Sequence, residues 1–403
     1  MKIKFTKEVY LSWTENTSLE NLHYVNPKRS IERKKGKIMK RLITLILTCS
    51  IIFSIFTLVS CNDTETEQPE KVFPTSVWDG ETIDTSWYSA VESELTINNA
   101  SQFAGFAKLV NEGISFNGTT LYLNTNIDLG GHEWTPIGTL SGITKYGFEG
   151  VFKGNNCSIY NFKITNTSLC YIGLFGINHG IINNLSVSDF EIKLHADVDN
   201  IYVGGLAGLN EGQIDTCYAN GKTDVYAYSC KAGMLVGLNN NASIYNCYSD
   251  GELIAGDYAA HNSGGLVGRN SQSVISGCYS LCKVSAMSKN SDCYAGGLVG
   301  SNSGAIYDSF AVGAISSESG NSYHNSTFQN KSSAGGLVGY NANDGSITNS
   351  YRLIDQSITA DKINNHGTAV TANDLKSTKF YNDTLNWSSN IWIISSSEYP
   401  KFQ

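Results

Sequence analysis

The sequence predicts an all-β protein whose main part is a right-handed β-solenoid, a chain wound into stacked coils of about 30 residues. Three observations support this prediction. The chain repeats at nearly regular spacing, its repeats hold short apolar runs broken by turn residues, and its composition combines 39 Gly and 22 Tyr with only 5 Pro and 16% charged residues. That composition argues against disorder, which goes with few aromatic residues, and against a coiled coil, which needs more Ala, Glu, Lys and Leu.

Charge is distributed unevenly along the 403 residues. Residues 1–60 carry 11 basic and 4 acidic side chains, a net charge of +7, so the remaining 17 basic and 32 acidic side chains give residues 61–403 a net charge of −15. Only two arginines, Arg269 and Arg352, fall in that second part. A chain this acidic repels phosphate backbones, which argues against nucleic acid as a partner.

Residues 39–60 have the pattern of a secretory signal peptide. Met39-Lys40-Arg41 precedes an uncharged apolar run that ends in Leu58-Val59-Ser60-Cys61. This ending resembles the lipobox of bacterial lipoproteins. The resemblance implies cleavage before Cys61, acylation of Cys61 and a membrane lipid anchor. The alternative is an uncleaved membrane helix, because about 18 apolar residues just span a bilayer.

The rest of the chain divides around this segment. We interpret residues 1–38 as a mis-assigned upstream extension and residues 61–77 as an acidic flexible tether. The acidic residues after Cys61 resemble the surface-export signal of Bacteroidota lipoproteins, which implies an outer-membrane protein exposed at the cell surface. Residues 78–172 are expected to form an N-terminal cap with the first coils, residues 173–355 six repeats, and residues 356–403 a C-terminal cap.

Six repeats dominate the sequence. Each contains a leucine in a Gly-Leu or Gly-x-Leu frame, with spacings of 29 to 39 residues: Leu174, Leu206, Leu235, Leu266, Leu298 and Leu337. Four residues later each repeat has an asparagine: Asn178, Asn210, Asn239, Asn270, Asn302 and Asn341. In a β-solenoid, equivalent residues stack about 4.8 Å apart. We therefore expect these asparagines to form a ladder, a row of equivalent side chains on consecutive coils, and to occupy a turn with left-handed backbone.

The string Gly-Gly-Leu-Val-Gly-x-Asn, found at 264–270, 296–302 and 335–341, resembles the GLUG repeat of bacterial surface proteins. That family includes adhesin-like lipoproteins and the non-catalytic region of IgA1-cleaving M26 metallopeptidases. The resemblance covers roughly residues 78–403 and implies a β-solenoid.

Both ends of a solenoid need protection, because an open coil leaves strand edges unpaired. Asn99 and Gln102 form a capping-box pattern ahead of an apolar face, which predicts a short helix over the first coil. At the other end, bulky residues are expected to seal the last coil: Trp387, Trp392, Tyr399 and Phe402.

Catalytic patterns are absent from the sequence. It holds no His-Glu-x-x-His string for a metallopeptidase, no clustered carboxylates of the hydrolase type, and no paired metal ligands. We therefore predict no catalytic residues, no metal site and no cofactor. His195, His261 and His324 are interpreted as solvent-exposed residues of loops.

Two rows remain open to interpretation. Cys217, Cys247 and Cys278 share one ladder position, and we expect them to be reduced and structural. The aromatic row Tyr218, Tyr248, Tyr279, Phe310 and Tyr351 is either core or an exposed stripe that binds a sugar or a protein, and we favour core.

The connections after the third strand of each repeat vary in length, so we expect them to line one edge of the stack. In repeat proteins such an edge is often the binding face. Its candidate residues are Tyr226, Tyr228, Tyr258, His261, Tyr294, Tyr323, His324 and Phe328.

The sequence thus predicts a non-catalytic, lipid-anchored surface protein with an adhesion or binding role toward a glycan or host protein. A glycan- or protein-degrading enzyme, or its accessory subunit, is one alternative. A structural spacer without a ligand is the other.

Overall fold

The computed structural model describes residues 74–141, 144–196, 198–257, 261–289, 291–320 and 332–403. The signal peptide, Cys61 and nearly all of the tether therefore lie outside the described residues. The N-terminal part contains one helix and eight strands: β1 (Thr75–Val77), β2 (Glu94–Ile97), α1 (Ala100–Asn111), β3 (Thr120–Leu123), β4 (Asn126–Glu133), β5 (Thr139–Ser141), β6 (Thr144–Tyr146), β7 (Val151–Ile164) and β8 (Tyr171–Ile172).

The repeat region contains the longest strands. They are β9 (Phe175–Asn178), β10 (Ile181–Ala196), β11 (Ile201–Gly204), β12 (Ala207–Asn210), β13 (Gln213–Ala227), β14 (Cys230–Gly233), β15 (Val236–Asn240), β16 (Ser243–Tyr245), β17 (Tyr248–Asp257), β18 (His261–Gly264), β19 (Val267–Ser276), β20 (Tyr279–Ser280), β21 (Lys283–Ser288), β22 (Cys293–Gly296), β23 (Val299–Tyr307), β24 (Phe310–Ala311), β25 (Ile315–Ser319), β26 (Ser332–Gly335), β27 (Val338–Asn341), β28 (Ser346–Thr348) and β29 (Tyr351–Leu353).

The C-terminal part has shorter elements. They are β30 (Ile358–Thr359), β31 (Lys362–Asn364), β32 (Thr368–Val370), a 3₁₀ turn at Asp374–Lys376, a π-helical turn at Phe380–Leu385, β33 (Trp392–Ile393) and β34 (Lys401–Phe402).

The strands form a parallel β-solenoid. A seven-stranded sheet takes one strand from each coil, in the order β8, β11, β14, β18, β22, β26 and β31, while the other coil strands join a 23-stranded sheet. Pairing is parallel throughout these two sheets, whereas the hairpins β5–β6 and β33–β34 are antiparallel. The prediction of an all-β solenoid with one short N-terminal helix is confirmed.

Alternation within the strands places the core inside the coils. Strand β10 alternates along most of its length between buried apolar residues and exposed polar ones, as expected for a strand with one face to the core and one to solvent. The fully buried residues include all six repeat leucines, and also isoleucines that pair in register on neighbouring coils, such as Ile214 and Ile244. Stacking therefore turns these positions into continuous apolar rows.

The glycines of the repeat motif allow the chain to fold tightly against itself. A Cβ on Gly264 would lie 2.0 Å from the carbonyl oxygen of Val267, and one on Gly265 would lie 2.1 Å from that of Gly297. Real Cβ atoms do not approach backbone oxygens this closely, so both positions require glycine. The motif is thus explained by backbone contacts within and between coils.

An alternating row of charges runs along the outside of the stack. Consecutive coils place in register Glu133, Lys163, Glu191, Lys222, Glu252 and Lys283. Opposite charges on neighbouring strands attract and like charges repel, so the alternation favours this register. The Lys283 ammonium lies 2.8 Å from the Glu252 carboxylate.

Helix α1 covers the N-terminal end of the core. The Asn99 side chain accepts a hydrogen bond from the Gln102 backbone, and the Gln102 side chain accepts one from the Asn98 backbone. Phe103 and Phe106 of this helix are fully buried. Phe106 contacts the rings of Phe116, Phe148, Phe152 and Phe175.

Candidate functional site

The variable connections do lie at equivalent positions of the coils. Each links a long strand of the large sheet to a strand of the seven-stranded sheet, for example β13 to β14 and β21 to β22. The strands extend further into them than expected, because β10 continues to Ala196 and β13 to Ala227. The connections between these strands are therefore shorter than the sequence indicated.

The candidate edge residues fall into three groups. Tyr228 is 51% exposed, and Tyr226 and Tyr294 are half-buried. His261 is fully buried. The remaining four lie outside the described residues: Tyr258, Tyr323, His324 and Phe328.

The interpretation of His261 as an exposed loop residue is wrong. It begins strand β18, where register places it between Cys230 and Cys293 on adjacent coils. These positions face the interior, and the Cys230 sulfur lies 3.1 Å from His261 Nδ1. Burial raises the pKa of the Cys230 thiol to about 12. The prediction failed because strand β18 already begins at His261, in register with the buried Cys230.

The six asparagines form one ladder inside the stack. In each coil the Nδ2 group donates to Oδ1 of the next asparagine, at 2.8, 2.8, 3.0, 2.8 and 2.7 Å from Asn178 to Asn341. The first five members are buried. Several also accept through Oδ1 from a backbone N–H two residues later, as Asn178 does from Gly180 at 3.2 Å. The ladder thus satisfies backbone groups at a buried corner.

The expected left-handed backbone at these asparagines is wrong, because none of the six has a positive φ. A left-handed residue that all six repeats share comes six to eight positions later, immediately before the position that holds Leu185 in the first repeat and Cys or Ser in the others. Its members are Asn184, Thr216, Asn246, Gly277, Asp308 and Asn349. Five of these six are residue types that tolerate this conformation.

The cysteines at 157, 170, 217, 230, 247, 278, 282 and 293 are all free, and seven of them are buried. Cys217, Cys247 and Cys278 lie in register facing the interior. The Cys247 sulfur accepts a hydrogen bond from the Cys217 backbone at 3.3 Å, and Cys278 repeats this contact with Cys247.

The aromatic row points away from the solenoid interior, since it follows the inward Cys and Ser row by one residue. Neighbouring ring centroids are 4.3, 4.8 and 4.9 Å apart from Tyr218 to Phe310. Tyr279 and Phe310 are nevertheless buried. They belong to a second hydrophobic cluster, which the C-terminal segment builds against the outside of the coils.

The C-terminal aromatic residues pack on this row and do not seal the last coil, so that part of the prediction is wrong. Trp392 contacts the rings of Tyr248 and Tyr279, and Trp387 contacts Tyr279 and Phe310. Trp387 Nε1 also donates to the Asp308 carbonyl at 3.0 Å. The outward row offers these side chains a series of aromatic rings to pack against, and aromatic pairs contribute beyond the area that they bury.

A groove with several polar side chains, which the sequence analysis did not predict, lies on the outer surface of the coils near the N-terminal cap. We call it the Glu211 groove. It is open, has a volume of about 580 Å³, and is lined by Glu149, Gly150, Val151, His179, Gly180, Ile181, Glu211, Gly212, Gln213, Asn241, Ala242 and Ser243. Its polar members come from successive coils about 30 residues apart, so no local motif announces them.

Glu211 is the centre of this groove. One carboxylate oxygen lies 3.1 Å from His179 Nε2, and the other accepts a hydrogen bond from Asn240 Nδ2 at 2.9 Å. The Lys145 ammonium lies 3.8 Å away. Glu211 and His179 keep 28% and 25% of their side-chain surfaces exposed, so solvent or a ligand reaches both.

A tyrosine stack borders the groove. The rings of Tyr171 and Tyr202 are 5.3 Å apart and nearly parallel, with Lys145 over the first and Lys231 over the second. Burial raises the pKa of both tyrosines and lowers the pKa of Lys231. Because neighbouring side chains occupy the ring faces, these tyrosines present mainly their edges and hydroxyls outward.

Within the described ranges, no group of three or more His, Cys, Asp and Glu side chains is arranged to hold a metal ion. The same part of the chain has no helix with the length and apolar character required to cross a membrane.

Comparison with known proteins identifies the repeat. The family model of the GLUG motif matches residues 199–226 and 330–351. A relative from Evansella cellulosilytica, named "Putative Gly-rich membrane protein", is 33% identical over 127 residues. That match covers 31% of this chain but only 14% of the relative.

One solved structure has the same fold. It is described as a "putative immunoglobulin A1 protease from Bacteroides ovatus", and it matches with a TM-score of 0.58 at 20% identity over 77% of this chain and 91% of that one. At this identity the likeness concerns the fold alone. The chain therefore carries GLUG repeats, and these repeats build the coils of a β-solenoid.

Proposed function

We propose that this protein is a lipid-anchored protein of the bacterial outer membrane, exposed at the cell surface, that binds a glycan or a host protein and is not itself catalytic. The observation that carries the proposal is that each coil combines a fixed part with a variable part. Buried ladders fix the scaffold, while connections of variable length emerge at one position of every coil. A rigid scaffold with variable loops is the usual design of a binding surface.

Two further points support this proposal. The GLUG repeat resembles that of bacterial surface proteins, and the relative from Evansella cellulosilytica is named as a membrane protein. The lipobox pattern at Leu58–Cys61 supplies the attachment, because two or three acyl chains hold a protein firmly to a bilayer whereas one is marginal.

Metabolic labelling tests the anchor. Cells that express the full chain are grown with an alkyne-tagged fatty acid. The wild-type protein should incorporate the label, and so should the control Cys49→Ala, whose cysteine lies within the predicted signal peptide. The Cys61→Ala protein should not. Protease treatment of intact cells should then degrade the solenoid. Label in the Cys61→Ala protein would contradict lipidation at Cys61.

An array experiment tests binding. The full chain, purified in detergent, is applied to panels of glycans and of host surface proteins, and at least one specific ligand is expected. If neither panel shows binding, the protein is a structural spacer and the proposed binding function is wrong.

A further inference from the structure

We propose that the Glu211 groove is a binding site for a neutral oligosaccharide. The proposal rests on the binding function proposed above and names the chemical class of its ligand. Coil stacking brings carboxylate, imidazole, amide and hydroxyl groups to one open groove, and these groups hydrogen-bond to sugar hydroxyls.

The size of the groove favours a small, extended ligand. The groove has a volume of about 580 Å³ and is open to solvent, so it suits a ligand that keeps part of its own polar surface in water. The groove runs across coils, since Val151, Ile181, Gln213 and Ser243 occupy the same register position on four of them. An extended chain of sugar units laid across the coils would therefore meet side chains from each of the four coils.

Charge selects against acidic ligands. Glu149 and Glu211 place two carboxylates on the groove, and Lys145 is the cation in contact with Glu211. Sulfated or uronic-acid sugars would be repelled by this arrangement, as phosphate groups would be. The carboxylate, imidazole and amide groups of the lining also disfavour a wholly apolar ligand, because burying them without hydrogen-bond partners is costly.

The groups at the centre of the groove are positioned before any ligand arrives. Glu211 is oriented by His179 and Asn240. His179 in turn packs against Gly147, where an added Cβ would lie 2.8 Å from His179 Nδ1. A preorganised carboxylate with exposed oxygen surface can accept two hydrogen bonds from neighbouring hydroxyls of one sugar ring.

The test compares one groove variant with a matched control. The full chain in detergent is screened against neutral gluco-, manno- and galacto-oligosaccharides, against hyaluronan oligosaccharides and heparin as acidic probes, and against chitosan oligomers as amino-sugar probes.

The best neutral ligand is then titrated calorimetrically into wild type, Glu211→Gln and Glu252→Gln. Glu252 is an exposed carboxylate of the charge row outside the groove. We expect Glu211→Gln to weaken binding at least tenfold and Glu252→Gln to leave it unchanged, with thermal unfolding showing both variants folded.

Other outcomes separate this inference from the broader proposal. If Glu211→Gln binds like wild type, or only acidic or amino sugars bind, the neutral-sugar site is wrong. Binding to host proteins but to no sugar would overturn the groove site and leave the binding function intact. No binding to sugars or host proteins would overturn both.

Discussion

The two ends of the solenoid are finished in different ways. At the N-terminal end, helix α1 lies over the first coils and buries Phe103 and Phe106 completely. At the C-terminal end, register places Ile358 and Ile363 in the interior rows of Ile315 and Ala334. Ile363 is nevertheless 49% exposed.

The C-terminal end is not left partly exposed for lack of bulky side chains. Trp387 and Trp392 follow the last coil and are large enough to cover it. They pack instead against the outward row of Tyr248, Tyr279 and Phe310. The comparison teaches that an aromatic segment after a repeat array can pack along the side of the coils and leave an interior row partly exposed at the last coil.

Phe106→Ala should have the largest effect, because it removes a ring that contacts five others, that of Phe103 among them. We expect a loss of about 3–5 kcal/mol, the usual cost of truncating a buried phenylalanine. Urea unfolding followed by circular dichroism measures it, with the partly exposed Tyr307→Ala as the control. A loss below about 1 kcal/mol would show that the N-terminal cap contributes little to the solenoid.

Trp392→Ala tests whether the C-terminal segment is separable from the coils. Its side chain is 1% exposed, so truncation should cost about 3 kcal/mol within the second hydrophobic cluster. Hydrogen exchange should accelerate at residues 371–403, while amides of β12 and β15 stay protected. Faster exchange throughout the coils would mean that the C-terminal segment and the solenoid unfold together.

Asn239→Ala breaks the asparagine ladder midway between the two ends. Asn210 Nδ2 would lose its acceptor and Asn270 Oδ1 its donor, and each unpaired buried group costs roughly 1–3 kcal/mol. Thermal unfolding should show destabilisation of about 2–3 kcal/mol. The control is Asn373→Ala, at an exposed asparagine with φ −71° and no side-chain capping hydrogen bond. Equal unfolding temperatures for the two variants would show that the ladder forms because the coils stack and does not itself stabilise them.

Glu191→Lys should have the smallest effect. It places three lysines in register, with Lys163 and Lys222 on either side, and exposed pairs contribute at most about 1 kcal/mol. The expected destabilisation shrinks in high salt, because screening weakens repulsion between surface charges. Salt-independent destabilisation would point to packing rather than charge.

Much of the fold could be predicted from the sequence because it depends on repetition. Equivalent residues such as Asn210 and Asn239 must stack once the chain coils, and the capping pattern at Asn99 is local. The Glu211 groove could not be predicted, since Glu149, His179 and Glu211 come from three coils and only stacking brings them together. His261 was misplaced because the residue at which strand β18 begins decided whether its side chain faced solvent or core.

By itself, the sequence determined the repeat, the ladders and the position of the capping helix. These follow from spacing and from backbone demands, such as the glycine required at Gly265. Only the tertiary structure decided which of two neighbours, Cys247 or Tyr248, faced the interior. A strand presents adjacent residues to opposite faces, and the turn before it, not the strand's own composition, sets the phase. The structure also decided where the C-terminal aromatic residues pack, because that depends on which apolar surfaces the folded coils leave exposed.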